Sequence, residues 1–196
     1  MNSLSTFLSR QPRSSLAAAA VLVLGLSACG GGSSNDSADT PTSDPSAVAG
    51  TCNLLNFQQE LMTRINALRA AGADCGTSGV FPATTAMTWN AQLTQAADGH
   101  AKDMAAKNYF SHTSQDGRTM SDRVNATGYA WSSLGENIAA GQPTVESVMD
   151  SWRNSPGHCA NLMSASYTNV GVSCQLATAQ GATYSKYWVM NLGKPR

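Results

Sequence analysis

The chain has 196 residues, with 12 basic and 12 acidic side chains and no formal net charge. Its hydrophobic share of 42% is enough to fill one core, and the length is too short for several. There is no basic run and no interleaving of basic with aromatic residues. That argues against a nucleic-acid surface and against an electrostatic hold on anionic lipid.

The N-terminus reads as an export signal over residues 1–28. Arg10 and Arg13 form a positive region, Leu16 to Leu24 is an apolar run, and Leu26-Ser27-Ala28-Cys29 supplies small residues at a cleavage point. The apolar run falls short of the roughly 20 residues that span a bilayer. The tetrapeptide resembles the bacterial lipobox, which makes Cys29 the expected lipidation site and the anchor to a membrane. Gly30 rather than Asp follows it, so an outer-membrane lipoprotein of the bacterial envelope is expected, on the periplasmic or the surface face. Ordinary cleavage near Ala28 and a soluble periplasmic form is the alternative.

Residues 29–50 are Gly, Ser, Asp, Thr, Pro and Ala with little to bury, the composition of a flexible tether. Residues 51–196 make one domain. Without the signal, 10 basic stand against 12 acidic residues, near −2.

Leu54, Phe57, Leu61, Ile65 and Leu68 recur at helical spacing, and Gly72 ends the run. A turn-rich stretch fills Gly72 to Thr85. Asn90 caps a second helix whose inward face is Leu93, Ala97, His100 and Met104, ending at Asn108. A short helix is expected from Met120 to Ala126. Gly135 to Gly141 reads as a loop or short turn. Thr144 caps a helix through Val145, Val148, Met149 and Trp152, which Ser155-Pro156-Gly157 ends. Asn169 to Leu176 and Tyr184 to Leu192 alternate as strands, with a turn at Gln180-Gly181. Helices first and a hairpin last point to an α+β domain with a small antiparallel sheet.

Of the five cysteines, Cys29 is assigned to the lipid. Cys52, Cys75, Cys159 and Cys174 remain, an even set that suits disulfides in an oxidising compartment. Four cysteines allow three connectivities. The local pairs Cys52–Cys75 and Cys159–Cys174 are expected here, with free buried thiols as the alternative. No Cys-x-x-Cys pair points to zinc or thioredoxin chemistry.

Three polar groups stand out by their context: His112 in Phe-Ser-His-Thr, Glu136 in Gly-Glu-Asn-Ile-Ala, and His158 within Trp152 to Met163. With Leu-Thr-Gln-Ala-Ala at 93–97, Asp103-Met104-Ala105 and Tyr187-Trp188-Val189, the order and spacing resemble the CAP superfamily in its bacterial SCP-like form. That superfamily comprises cysteine-rich secretory proteins, antigen 5 and pathogenesis-related proteins of the first group. The resemblance runs from about Leu54 to Gly193. It implies a three-layer α-β-α sandwich with an open cleft where two His and two acidic residues meet. His112 matches the first His, Glu136 the first Glu and His158 the second His. Ser155 stands where many members carry the second Glu, so the tetrad is incomplete.

Two neutral imidazoles and a carboxylate facing one cavity are ligands for zinc or another divalent cation, with a fourth position open. A metal-bound water would be a nucleophile. No His-Glu-x-x-His run forces the three groups together. The plainer alternative is a hydrogen-bonded polar cluster that holds the cleft loops. The resulting expectation is a monomeric envelope module whose cleft binds a divalent ion and a lipid, peptide or protein ligand. A metal-assisted peptidase or other hydrolase, using His112, Glu136 and His158 catalytically, is the alternative.

Ser111 and Ser155 flank the expected cleft, but neither sits in a nucleophile elbow. Asn137 is expected to line the cleft with Ser111 and Ser155 and to hold loop geometry, and Asn161 to hold geometry likewise. His100 reads as a packed helix residue rather than a ligand. The four tryptophans read as core or cleft wall, and Asp116-Gly117-Arg118 as an exposed turn.

Overall fold

The computed structural model describes residues 50–196. The expected signal peptide, Cys29 and all but the last residue of the expected tether lie outside the described residues. Among the described residues, no helix is long and apolar enough to cross a membrane.

Helix α1 (Phe57–Ala71) is followed by a two-stranded antiparallel ribbon, β1 (Ala73–Asp74) and β2 (Val80–Phe81), with a 3-10 turn between. Then come β3 (Thr88–Trp89), α2 (Ala91–Lys107), α3 (Met120–Ala126), β4 (Trp131–Ala140), α4 (Val145–Arg153), α5 (Pro156–Met163), β5 (Asn169–Leu176) and β6 (Lys186–Pro195). Several boundaries follow from capping chemistry. Asn90 accepts from the Leu93 N–H at the start of α2, and left-handed Asn108 closes it. Thr119 and Thr144 form reciprocal capping boxes with Asp122 and Ser147.

The main sheet runs β3-β5-β6-β4. The β5–β6 and β6–β4 pairs are antiparallel, while the two-residue β3 joins β5 in parallel. Alternation along β6 sorts its side chains between two helical layers. Trp188, Met190 and Leu192 pack with Phe57, Leu61 and Ile65 of α1 and with Val148 and Trp152 of α4. Tyr187 and Val189 pack with Ala97, Ala101 and Met104 of α2. This is the expected three-layer α-β-α sandwich. Helix α2 lies close to the sheet because β5 offers Gly171 beneath it. A Cβ there would collide with the Leu93–Thr94 backbone.

Three expectations change. Residues 135–140 form the second half of the ten-residue strand β4, not a turn. Its register against β6 pairs Glu136 with Asn191 and Ile138 with Val189. Ser155-Pro156-Gly157 does end α4, but it also starts α5, because proline suits the first position of a helix.

The disulfides are Cys52–Cys174 and Cys75–Cys159, not the local pairs. Thr51 bridges in parallel to Cys174 of β5, which brings Cys52 within 5.2 Å, Cα to Cα, of Cys174. Cys75 packs in a small cluster with Cys159 and Met163 of α5, 5.5 Å from Cys159 by the same measure. The bonds close sequence separations of 122 and 84 residues. In the chain-entropy model such loops contribute roughly 4–5 kcal/mol each.

Strand β4 is an edge of the sheet, and its outward carbonyls are covered by side chains. Leu134 O accepts from Tyr167 Oη at 3.0 Å, Glu136 O from Asn161 Nδ2 at 3.4 Å, and Ile138 O from Trp152 Nε1 at 3.3 Å. Gly135 is required beside the first of these, since a Cβ would strike the Tyr167 ring.

Candidate functional site

A cleft of about 660 Å³ opens beside the last third of β4. Phe110, Ser111 and His112 of the α2–α3 connection and Tyr184 of the β5–β6 connection form one wall. Residues 138–140 of β4 and Gln142, Ser151, Ser155 and His158 complete the lining. His112 and His158 therefore share one cleft although they come from opposite helical layers.

His112 is exposed, yet its position is fixed from behind. Its Nδ1 meets Glu136 Oε1 at 2.8 Å. The Glu136 side chain is 3% exposed and takes Arg123 Nη2 on Oε2 at 2.7 Å. Asn191 sits opposite Glu136 on β6. In the orientation that satisfies both ends of its amide, it donates to Oε2 at 3.2 Å and accepts from the Ala97 N–H at 3.0 Å. With the carboxylate paired to arginine, Nδ1 of His112 carries the proton and donates, which leaves Nε2 as the free lone pair.

The backbone around His112 is tied down as well. Arg123 Nη2 donates to His112 O at 3.1 Å, and Arg123 Nη1 to Ser114 Oγ and Arg118 O, each at 3.1 Å. Buried His100 donates from Nε2 to Ser111 O at 2.8 Å. Burial, and next the Arg123 charge, push the His100 pKa down, so it serves as a neutral hydrogen-bonding residue. That is the packed role its helical face predicts.

His158 lies in the first turn of α5 and is half-buried. Burial and then the neighbouring His112 lower its pKa from the ordinary value of 6.5. Asn137 Nδ2 donates to His158 O at 3.1 Å, and Asn161 Nδ2 holds the Asn137 oxygen at 2.9 Å. Asn137 thus holds geometry from a strand rather than a loop and, being fully buried, does not line the cleft as expected, whereas Ser111 and Ser155 do. The next residue, Cys159, carries the disulfide to Cys75. Ser155 caps α5 without a side-chain capping bond and lines the cleft.

As three metal ligands, His112, Glu136 and His158 do not converge. Among the described residues, no group of three or more His, Cys, Asp or Glu side chains is placed to hold a metal ion. The reason is visible at Glu136, whose Oε1 receives His112 and whose Oε2 receives Arg123. The carboxylate stands behind His112 as its hydrogen-bond partner. Of the three, the two imidazoles of His112 and His158 line the cleft.

Sequence reasoning missed Arg123, Asn191 and Tyr167. A single arginine in a short helix carries no local signal, and neither does an asparagine within an alternating strand. Asn191 acts through the pairing of β4 with β6, Arg123 reaches Glu136 from α3, and Tyr167 reaches Leu134 O from the α5–β5 connection.

The sequence model of the cysteine-rich secretory protein family (CAP) matches residues 62–192. The uncharacterized protein YkwD of Bacillus subtilis is 32% identical over 134 residues, covering 68% of this chain and 46% of that protein. An extracellular protein of Bacillus anthracis containing an SCP domain superposes with a TM-score of 0.56. It is 29% identical, over 69% of this chain and 39% of that one. An outer surface protein of Borrelia burgdorferi superposes with a TM-score of 0.58 at 20% identity, over 70% of this chain and 92% of that one, and so shares the fold. The chain spans under half the length of the two Bacillus proteins.

Proposed function

The chain belongs to the CAP, or cysteine-rich secretory protein, family, and we propose that it is an envelope-anchored binding module whose cleft holds a divalent cation between His112 and His158. The observation that carries this reading is the pre-set imidazole of His112, with Nδ1 held by a buried carboxylate that arginine fixes in turn. That carboxylate–histidine arrangement raises the basicity of the free nitrogen and orients it for a metal. A bound cation would supply an electrophilic position to a ligand's oxygen or nitrogen.

The alternative, a metal-assisted hydrolase, would need a proton acceptor beside the open position. With both Glu136 oxygens engaged and Ser155 in the place of the second acidic residue, that role would fall to an imidazole of the cleft. Lipidation at Cys29, anchoring to a membrane and an outer-membrane location belong to the same proposal. They rest on Leu26-Ser27-Ala28-Cys29 and agree with relatives described as an extracellular protein and an outer surface protein.

Calorimetric titration of the stripped full chain with zinc tests the site. Saturable binding is expected for the wild type and none for the His112→Ala, His158→Ala double variant. Equal heats from both would remove the ion site. Labelled palmitate fed to expressing bacteria should enter the wild type and not Cys29→Ala.

A further inference from the structure

We propose that the cleft recognises an uncharged oligosaccharide, with Phe110 and Tyr184 as its stacking surface; this rests on the cleft being the binding site of the preceding section. No Asp, Glu, Lys or Arg lines the cleft. Recognition there falls to imidazoles, hydroxyls and the Gln142 amide, groups that hydrogen-bond a neutral polar ligand without demanding a countercharge. A phosphorylated or sulfated ligand would find no lysine or arginine there, so its binding would depend on the bound cation and vanish in the metal-free chain.

The rim is aromatic. Five large hydrophobic side chains are exposed among the described residues, and the two aromatic ones, Phe110 at 46% and Tyr184 at 38%, both lie at this cleft. Their ring centroids are 6.1 Å apart at a tilt of 58°, and buried Tyr187 braces Tyr184 edge-on at 6.0 Å. A braced ring loses little freedom on binding. Its negative face attracts the weakly positive C–H groups on the apolar side of a pyranose. The volume of about 660 Å³ lies within the roughly 300–1,000 Å³ usual for small-ligand sites.

Two other ligand classes fit less well. The lining sets Ser111, Gln142, Ser151 and Ser155 among its apolar side chains, so an acyl chain would offer these polar groups no hydrogen bond. One way to hold an extended peptide beside this cleft is to add it as a strand to β4. The carbonyls of Leu134, Glu136 and Ile138 are already taken by side chains, which leaves too little edge.

The test is saturation-transfer NMR of the metal-free full chain with N-acetylchitotetraose and cellotetraose, beside a heparin tetrasaccharide and tetra-alanine. Saturation transfer to the neutral sugars is expected, with none to heparin or the peptide. Affinity should drop about five- to ten-fold in Tyr184→Ala and in Phe110→Ala but hold in Tyr184→Phe. Both side chains are exposed, so the variants should fold, and zinc heats equal to the wild type would show it. Zinc binding with no sugar binding overturns the glycan proposal and leaves the cation site standing. Loss of both in the wild type overturns the cleft reading itself. Transfer to the peptide alone, or to heparin alone, also overturns the glycan proposal.

Discussion

Two buried arginines do different work. Arg69 of α1 is fully buried and no carboxylate accepts from it. Its guanidinium donates to Thr85 O and Leu162 O, each at 2.7 Å, to Ser164 O at 2.9 Å and to Tyr167 O at 3.2 Å. Leu162 and Ser164 sit at the C-terminus of α5, where a cation meets the negative end of the helix dipole. Arg123 is 4% exposed and is paired with Glu136, through which it holds His112. The first arginine fastens the scaffold through the backbone. The second spends part of its bonding on a side chain that faces the cleft. A buried cation therefore marks a site only when its partner is a carboxylate that reaches one.

The largest expected effect is at Arg69. Arg69→Ala leaves several buried carbonyls unpaired and should cost on the order of 4 kcal/mol in urea unfolding, a large part of a typical domain's stability. Arg69→Lys should recover less than half, because an ammonium cannot reproduce the planar fork. Zinc affinity per folded molecule should not move. A change there would break the contrast between the two arginines.

Arg123→Ala should cost about 3 kcal/mol, because it strands Glu136 in the interior. The Arg123→Met, Glu136→Leu double variant should be more stable than Arg123→Ala. Glu136→Gln should weaken zinc binding roughly 10–100-fold by releasing His112. A purely structural Glu136 would leave that affinity unchanged.

Acid should produce a smaller effect. Burial lowers the pKa of both His100 and His158, so below the ordinary histidine value of 6.5 the unfolded chain binds more protons than the fold. Stability should fall as pH drops from neutral through 6.5 towards the lowered folded values. His100→Gln should flatten that slope in thermal melts taken across the range. The smallest effect is expected at the surface. Arg64→Ala removes an exposed pair with Glu60 at 2.9 Å and should cost less than about 0.5 kcal/mol.

The helices were legible because their signals are local. Asn90, Asn108 and Thr144 announce ends, and the apolar spacing of α1 and α2 announces faces. Strand β4 was hidden because residues 135–139 are buried on both faces, which erases the period-two pattern. Its centre also holds Glu136 and Asn137, polar residues that serve the two halves of the site. Helix α5 was hidden by a proline that can end one helix or start the next. His112, Glu136 and His158 were legible through family resemblance. Their arrangement was not, since it depends on which oxygen of Glu136 each neighbour takes. The disulfides were misread because sequence proximity stood in for spatial proximity, while the N-terminal stretch pairs with β5 and Cys75 packs on α5.

The three side-chain donors along β4 have a consequence for crowding. An uncovered outer strand is a template on which another copy can extend the sheet, and the risk grows with local concentration. Proteins confined to a surface meet their own kind far more often than proteins in dilute solution. Tyr167, Asn161 and Trp152 occupy the acceptors that such growth would use. Three of the acceptors along this edge are thus closed to a second copy.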